Sequence, residues 1–188
     1  MQVHFTNSGD NRTTPQWLFD TLHHEFGFTI DASASADNAK LPKYYDEEAN
    51  GLIQEWREGD RIWCNPPYSK VKDWLKKAAD SEAMSVLLVA ARTDTKGWHE
   101  FVFRKANWVI FLKGRLKFNG MATPAPFPSA IVGFNCPPPI GRNILDLGFL
   151  LICKPPNVFG SGVRACEHTV VDDFSPDFSR VLPPFSKK

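Results

Sequence analysis

The stretch Arg61-Ile62-Trp63-Cys64-Asn65-Pro66-Pro67-Tyr68-Ser69-Lys70 joins a short apolar run to an amide, two prolines and an aromatic ring. Proline fixes its own φ, removes a backbone donor and pushes the residue before it towards extended geometry. Asn-Pro-Pro is therefore a stiff turn offering two fixed acceptors, the side-chain oxygen of Asn65 and the carbonyl of Pro66. The planar face of Tyr68 follows at once. Two acceptors beside a flat face match an amino group carried on a planar ring. Standing alone, the same four residues would read as an ordinary turn with a packed tyrosine. A strand before them and a helix after them give them chemical meaning.

Two other patterns could do chemistry. Asp31 closes the apolar run 28–32 and opens the stretch "DASASAD", whose small alanines and serines allow close approach to the backbone. Lys113, Arg115 and Lys117 alternate with Leu116 and Phe118, so an extended chain would put the three cations on one side. Such a stripe also suits a plainly solvated strand face. Lys70, Lys72, Lys76 and Lys77 read most simply as the solvated face of a helix.

These groups must be carried by elements, and the sequence marks them. Thr14 followed by Pro15 predicts a helix start, a capping hydroxyl with proline at the first helical position. Leu18, Leu22 and Phe26 recur every four residues, and Gly27 is a stop. Residues 28–32 predict a short strand. Residues 44–56 predict a strand end and then a helix with Leu52, Ile53 and Trp56 inward. Residues 61–64 form the strand leading into Asn65, and Val71, Trp74, Leu75 and Ala78 share one face of the helix after it. The continuous apolar run 84–91 fits a strand buried on both faces of a parallel sheet. A short helix over 95–105, a strand over 107–112, strands over 114–118 and 129–135, and a final strand over 148–154 complete the pattern. Alternating strands and helices predict an α/β fold, a mostly parallel sheet with an antiparallel C-terminal portion. Residues 1–13 read as a flexible N-terminal segment, and 14–188 as one domain ending in a Pro-rich tail.

A chain of 188 residues can bury a substantial core. No apolar run approaches the roughly 20 residues that span a bilayer, and the start lacks a signal-peptide core, so an intracellular protein is expected. Cys64, Cys136, Cys153 and Cys166 form no CxxC pair, and reduced thiols are expected. A zinc site from Cys153, Cys166 and His168 fits no standard spacing, so no metal is expected. The net charge of +1 leaves any nucleic-acid surface to local clustering.

Asn65-Pro66-Pro67-Tyr68 fits the (D/N)PP(Y/F) signature of amino-group methyltransferases that use S-adenosylmethionine. From roughly Thr14 to Phe134 the chain resembles the phage-type DNA N-6-adenine methyltransferases, the small Dam-like family of phages and prophages. The resemblance is carried, in order, by "TPQWLFDTLHHEFGFTIDASASADNAKL", "YYDEEANGL", "WCNPPYS" and "FLKGRLKF". It implies a Rossmann-like methyltransferase fold with S-adenosylmethionine as cofactor and double-stranded DNA as partner. It further implies a location in the bacterial host cytoplasm, with no membrane and no required protein partner.

The resemblance also implies roles. Asn65, Pro66, Pro67 and Tyr68 form the catalytic loop: Asn65 and the Pro66 carbonyl accept from the adenine amine, and Tyr68 stacks on a flipped base. Asp31 with Ala32 falls where the cofactor motif lies, holding either the methionine amino group or the ribose. Asp46 is a second candidate for the ribose, though it also reads as an acidic helix start. Thr14, Pro15 and Trp17 belong to the segment closing over the methionine end, with Asn65 bordering the cofactor; Trp17 equally suits a core anchor. Arg115, with Lys113 and Lys117, would track DNA phosphates, and Phe118 or Phe127 could pack the base. Rival substrates are cytosine N4, RNA adenine and protein glutamine; the glutamine reading goes with a glycine-rich cofactor loop absent here. A different class is a non-catalytic adaptor presenting "PAPFP", "CPPPI" and "KPPN" as polyproline ligands.

Overall fold

The computed structural model describes residues 12–153. Most of the segment read as flexible, the Pro-rich tail from 154 onward, Cys166 and His168 lie outside the described residues.

Helix α1 (Gln16–Phe26) begins one residue later than the Thr-Pro pair predicts. Pro15, at φ −56° and ψ 135°, takes the flanking position, and its carbonyl accepts from the N–H groups of Leu18 and Phe19 at 3.2 Å each. Thr14 is thus not the cap. The four-residue apolar spacing holds: Leu18, Leu22 and Phe26 are buried, with Phe19 beside them. Gly27 ends the helix in the left-handed region, at φ 60°, where its missing Cβ removes the usual penalty.

Six strands form one sheet: β1 (Ile30–Asp31), β2 (Arg61–Cys64), β3 (Met84–Ala90), β4 (Trp108–Leu112), β5 (Ser129–Phe134) and β6 (Gly148–Ile152), in the order β1-β2-β3-β5-β4-β6. β1, β2 and β3 pair in parallel, and β5 pairs antiparallel with both β3 and β4. β4 therefore runs with the first three strands. β6 is antiparallel to β4, so the reversed strands are the two C-terminal ones. The sheet is α/β in class, parallel at its start and antiparallel later, as the alternation of elements predicts.

Helix α2 (Val71–Asp80) crosses from β2 to β3 and buries Trp74, Leu75 and Ala78. Alternate residues of the strands serve two cores. Ile62, Cys64, Leu87 and Val89 pack with α2, whereas Trp63, Val86 and Leu88 pack with Leu18 and Leu22 of α1. Coverage of both faces explains why β3 reads as an unbroken apolar run. Gly133 is required by its cross-strand neighbour: a Cβ there would lie 2.2 Å from the Trp108 ring. Residues 98–105 form a wide π-type turn (Trp98–Val102) running into the short α3 (Phe103–Lys105), and α4 (Arg142–Leu145) precedes β6. Among the described residues no helix is long and apolar enough to cross a membrane. Cys64, Cys136 and Cys153 are free thiols.

Two expected elements are absent. Residues 46–56 form turns, not a helix; Trp56 is buried, but Ile53 is 73% exposed. The side chains of Asp46 and Asn50 accept from the nearby N–H groups of Ala49 and Leu52, and Asn50 takes φ 47°. Local side-chain bonds of this kind compete with a helix. Residues 114–118 pair with no described strand. Gly114, at φ 75°, turns the chain out of β4, and the Leu116 carbonyl accepts instead from Ala125 at 2.8 Å.

Candidate active site

Parallel pairing of β1 and β2 places two of the singled-out residues side by side. Asp31 lies opposite Trp63, and the Ala32 N–H donates to the Trp63 carbonyl at 2.8 Å. Asn65 follows immediately beyond β2. Both therefore stand at the carboxyl ends of adjacent parallel strands, where open α/β sheets bind ligands.

They line one narrow cleft with Thr13, Thr14 and Lys40. Asp31 is 2% exposed. Its backbone is pinned on both sides, the N–H donating to the Lys43 carbonyl and the carbonyl accepting from Tyr45. Oδ2 accepts from the Lys40 N–H at 3.0 Å. Oδ1 is buried with no hydrogen-bond partner among the described residues. Burial pushes the carboxyl up to about 6, against the opposing pull of the Lys40 and Ser33 backbone groups and the Lys40 charge.

In the turn itself Pro66 is buried, while Pro67 and Tyr68 are half-buried. The Pro67 carbonyl accepts from Lys70 at 3.0 Å, and a single tight turn over Tyr68–Lys70 leads into α2. The Asn65 Nδ2 group donates to the main-chain carbonyl of Arg12, and Asn65 Oδ1 is buried without a partner among the described residues. The Tyr68 ring packs against Phe127 at 4.8 Å and edge-on against Phe118 at 6.3 Å. The Arg12 guanidinium lies over all three rings.

Other singled-out residues are placed apart. Pro15 is buried at the helix start, but Trp17 is 56% exposed and neither a core anchor nor a cleft residue. Asp46 is exposed, caps a turn through the Ala49 N–H at 2.8 Å, and is not among the residues lining the cleft. Ala32 is buried, and its carbonyl is approached so closely by Gly51 that a Cβ there would lie 2.2 Å from it. Lys113, Arg115 and Lys117 are exposed while Leu116 and Phe118 are buried, so the alternation survives without a strand. On α2, Lys76 pairs with Asp80 at 2.7 Å and Lys72 with Glu100 at 3.6 Å, as a solvated helix face would.

Arg12, Thr13 and Lys40 enter the site without having been singled out. Arg12 and Thr13 sit just before the Thr-Pro pair, and Thr13 is held by a bridge to Asn119. No spacing rule reveals so remote a contact. Lys40 lies three residues beyond the small-residue stretch that Asp31 opens, and that nearness was the available signal.

A protein-family model described as DNA N-6-adenine-methyltransferase (Dam) matches residues 4–130. A DNA N-6-adenine-methyltransferase of Escherichia phage T1 is 35% identical over 109 residues, 55% of this chain and 45% of that protein. One of Haemophilus phage HP1 (strain HP1c1) is 28% identical over 105 residues, 53% of this chain and 60% of that protein. A putative methyltransferase, YfdM, of Escherichia coli (strain K12) is 36% identical over 66 residues, 32% of this chain and 72% of that protein. The chain thus spans about half the length of the two phage relatives.

Proposed function

The chain belongs to the DNA N-6-adenine-methyltransferase (Dam) family, and from that premise we propose that it methylates the exocyclic amine of adenine in DNA. The observation that carries the reading is Asn65 Oδ1, a buried acceptor without a partner among the described residues, fixed beside Asp31 at the carboxyl edge of parallel strands. A buried orphan acceptor is costly unless a ligand satisfies it. The order of strands and the place of the cleft support a Rossmann-like methyltransferase fold.

Bound S-adenosylmethionine supplies an electrophilic methyl group on a sulfonium. The residues fit it: Asp31 Oδ1 is a buried, unpartnered carboxylate oxygen suited to an ammonium, which favours the methionine amino group over the ribose. Thr14 lines the same cleft, whereas Ala32, buried directly after Asp31, Trp17 and Asp46 are not among its lining residues.

Adenine's amine is a poor nucleophile because its lone pair is conjugated with the ring. Asn65 Oδ1 and the Pro66 carbonyl accept from its two N–H groups, which favours a tetrahedral nitrogen and stabilises the charge that develops there. Pro66 and Pro67 keep these acceptors in place, so little reorganisation accompanies reaction. An amide is no strong base, and the proton leaves to solvent. Tyr68, backed by Phe118 and Phe127, offers a ring to a base flipped from the duplex.

The test is transfer of labelled methyl to unmethylated DNA, with RNA and protein as controls, followed by nucleoside analysis. Label is expected in N6-methyladenine. Asn65→Ala should lower the rate at least about 10²-fold and leave cofactor binding measurable. Label in N4-methylcytosine, in RNA or in protein, or full activity in Asn65→Ala, would refute the reading.

A further inference from the structure

Arg12 meets the site twice. Its main-chain carbonyl accepts from Asn65 Nδ2. Its guanidinium carbon lies 5.5 Å from the ring centre of Tyr68, 5.7 Å from that of Phe118 and 5.2 Å from that of Phe127. A carbonyl has no hydrogen to give, so the end of the Asn65 amide that faces it must be the NH2. The oxygen is thereby turned the other way, into the buried position where it has no partner among the described residues. The carbonyl itself is held in place. Three ring contacts fix the Arg12 side chain, and the Asn119 N–H donates to the next carbonyl, that of Thr13, at 3.0 Å.

We infer that Arg12 is a positioning residue whose main-chain carbonyl sets the Asn65 amide with its oxygen towards the target amine, and so commits position 65 to asparagine although the signature also admits aspartate. The inference rests on the proposed reaction and deepens it. An ionised carboxyl at position 65 has acceptors only, and one oxygen would face the Arg12 carbonyl unpaired and repelled. A protonated carboxyl would donate its O–H to that carbonyl and leave the other oxygen as acceptor, restoring the pattern asparagine provides. The titratable groups lining the cleft with residue 65 are Asp31, Lys40 and the Arg12 guanidinium. Asp31 titrates at about 6 in the wild type, and a carboxyl at position 65 would couple to it; saturating cofactor, whose ammonium holds Asp31 ionised, keeps that coupling the same at each pH.

The experiment is single-turnover methyl transfer to DNA by full-length Asn65→Asp and wild type, with saturating cofactor, from about pH 8.5 down to about pH 6. The variant-to-wild-type ratio is expected to rise about tenfold for each pH unit lowered, because the protonated fraction does so above its pKa. A ratio that stays flat, whether the variant is active or dead throughout, overturns the inference. Should the variant fail to fold, wild type decides. With 15N-labelled asparagine, one Asn65 side-chain amide proton should exchange with solvent at least about tenfold more slowly than those of exposed asparagines; equal exchange overturns it. Failure of the underlying reaction is distinguishable: a wild-type protein that methylates no DNA adenine removes the reaction and leaves the exchange result standing.

Discussion

Burial sets the protonation of Asp31, and its protonation sets when a cationic group can bind beside it. The folded carboxyl titrates at about 6, against about 4 for an ordinary carboxylate. The folded state therefore holds this proton more tightly than the unfolded chain. Its contribution to stability is fully present below about pH 4 and is lost as pH rises towards 6, amounting to about 3 kcal/mol by neutral pH. Cofactor-free protein should accordingly melt at lower temperature as pH rises through that window, and Asp31→Asn should remove that component. Cofactor binding should run the opposite way. An ammonium needs the ionised carboxylate, so affinity should rise with pH up to about 6, with release of a proton on binding below it. Calorimetry in two buffers of different ionisation enthalpy checks both, and a pH-independent affinity in wild type would remove Asp31 from the cofactor site. Asp31 and Asn65 were legible in the sequence because each ends an apolar run, and the ends of parallel strands are where chemistry collects. Arg12 was not, because it reaches Asn65 through its main-chain carbonyl, whose place no side-chain pattern announces.

At the scale of elements, two glycines at close approaches separate folding from binding. Gly133 faces the Trp108 ring between β4 and β5, and Gly51 faces the Ala32 carbonyl just after β1. Gly133→Ala overpacks the core and should cost about 1–3 kcal/mol in urea unfolding, with cofactor affinity unchanged in the protein that remains folded. Gly51→Ala presses on the backbone that carries Asp31, and should weaken cofactor binding at least about tenfold. Equal affinity in Gly51→Ala and wild type would show that the 46–56 turns do not set the Asp31 loop. β3 and α2 were legible because an unbroken apolar run and a full helical stripe match the two-sided and one-sided burial they have in the fold. The 46–56 segment was not: its Leu52-Ile53-Trp56 spacing reads as helical, but Asp46 and Asn50 bind the nearby backbone. Residues 114–118 kept their alternation and lost only their partner. Pairing is a long-range fact, and alternation records burial alone.

At the scale of the whole molecule, charge separates two accounts of the basic stripe. With a net charge of +1 the protein has no overall attraction for a polyanion, so DNA affinity must come from a patch near the cleft. The α2 lysines at 72 and 76 are spent on surface acids, and Lys105 shares Asp80 with Lys76 at 2.7 Å. Lys113, Arg115 and Lys117 are exposed and make no ion pair among the described residues. They sit on the loop that leaves β4 and supplies Phe118 and Phe127 to the Tyr68 cluster. If each contacts one phosphate, it releases roughly one counterion, and the slope of log affinity against log salt changes by about 0.9 per residue. Single alanine substitutions at the three positions should therefore flatten the slope by about one unit each, and the triple substitution by nearly three. Rates at saturating DNA should be little changed, because phosphate contacts position the duplex without touching the reacting amine. Fluorescence anisotropy of a labelled duplex over a salt series reads the slope directly. A triple variant with the wild-type slope would make the stripe a solvated face and move the DNA surface to other loops at the same edge of the sheet.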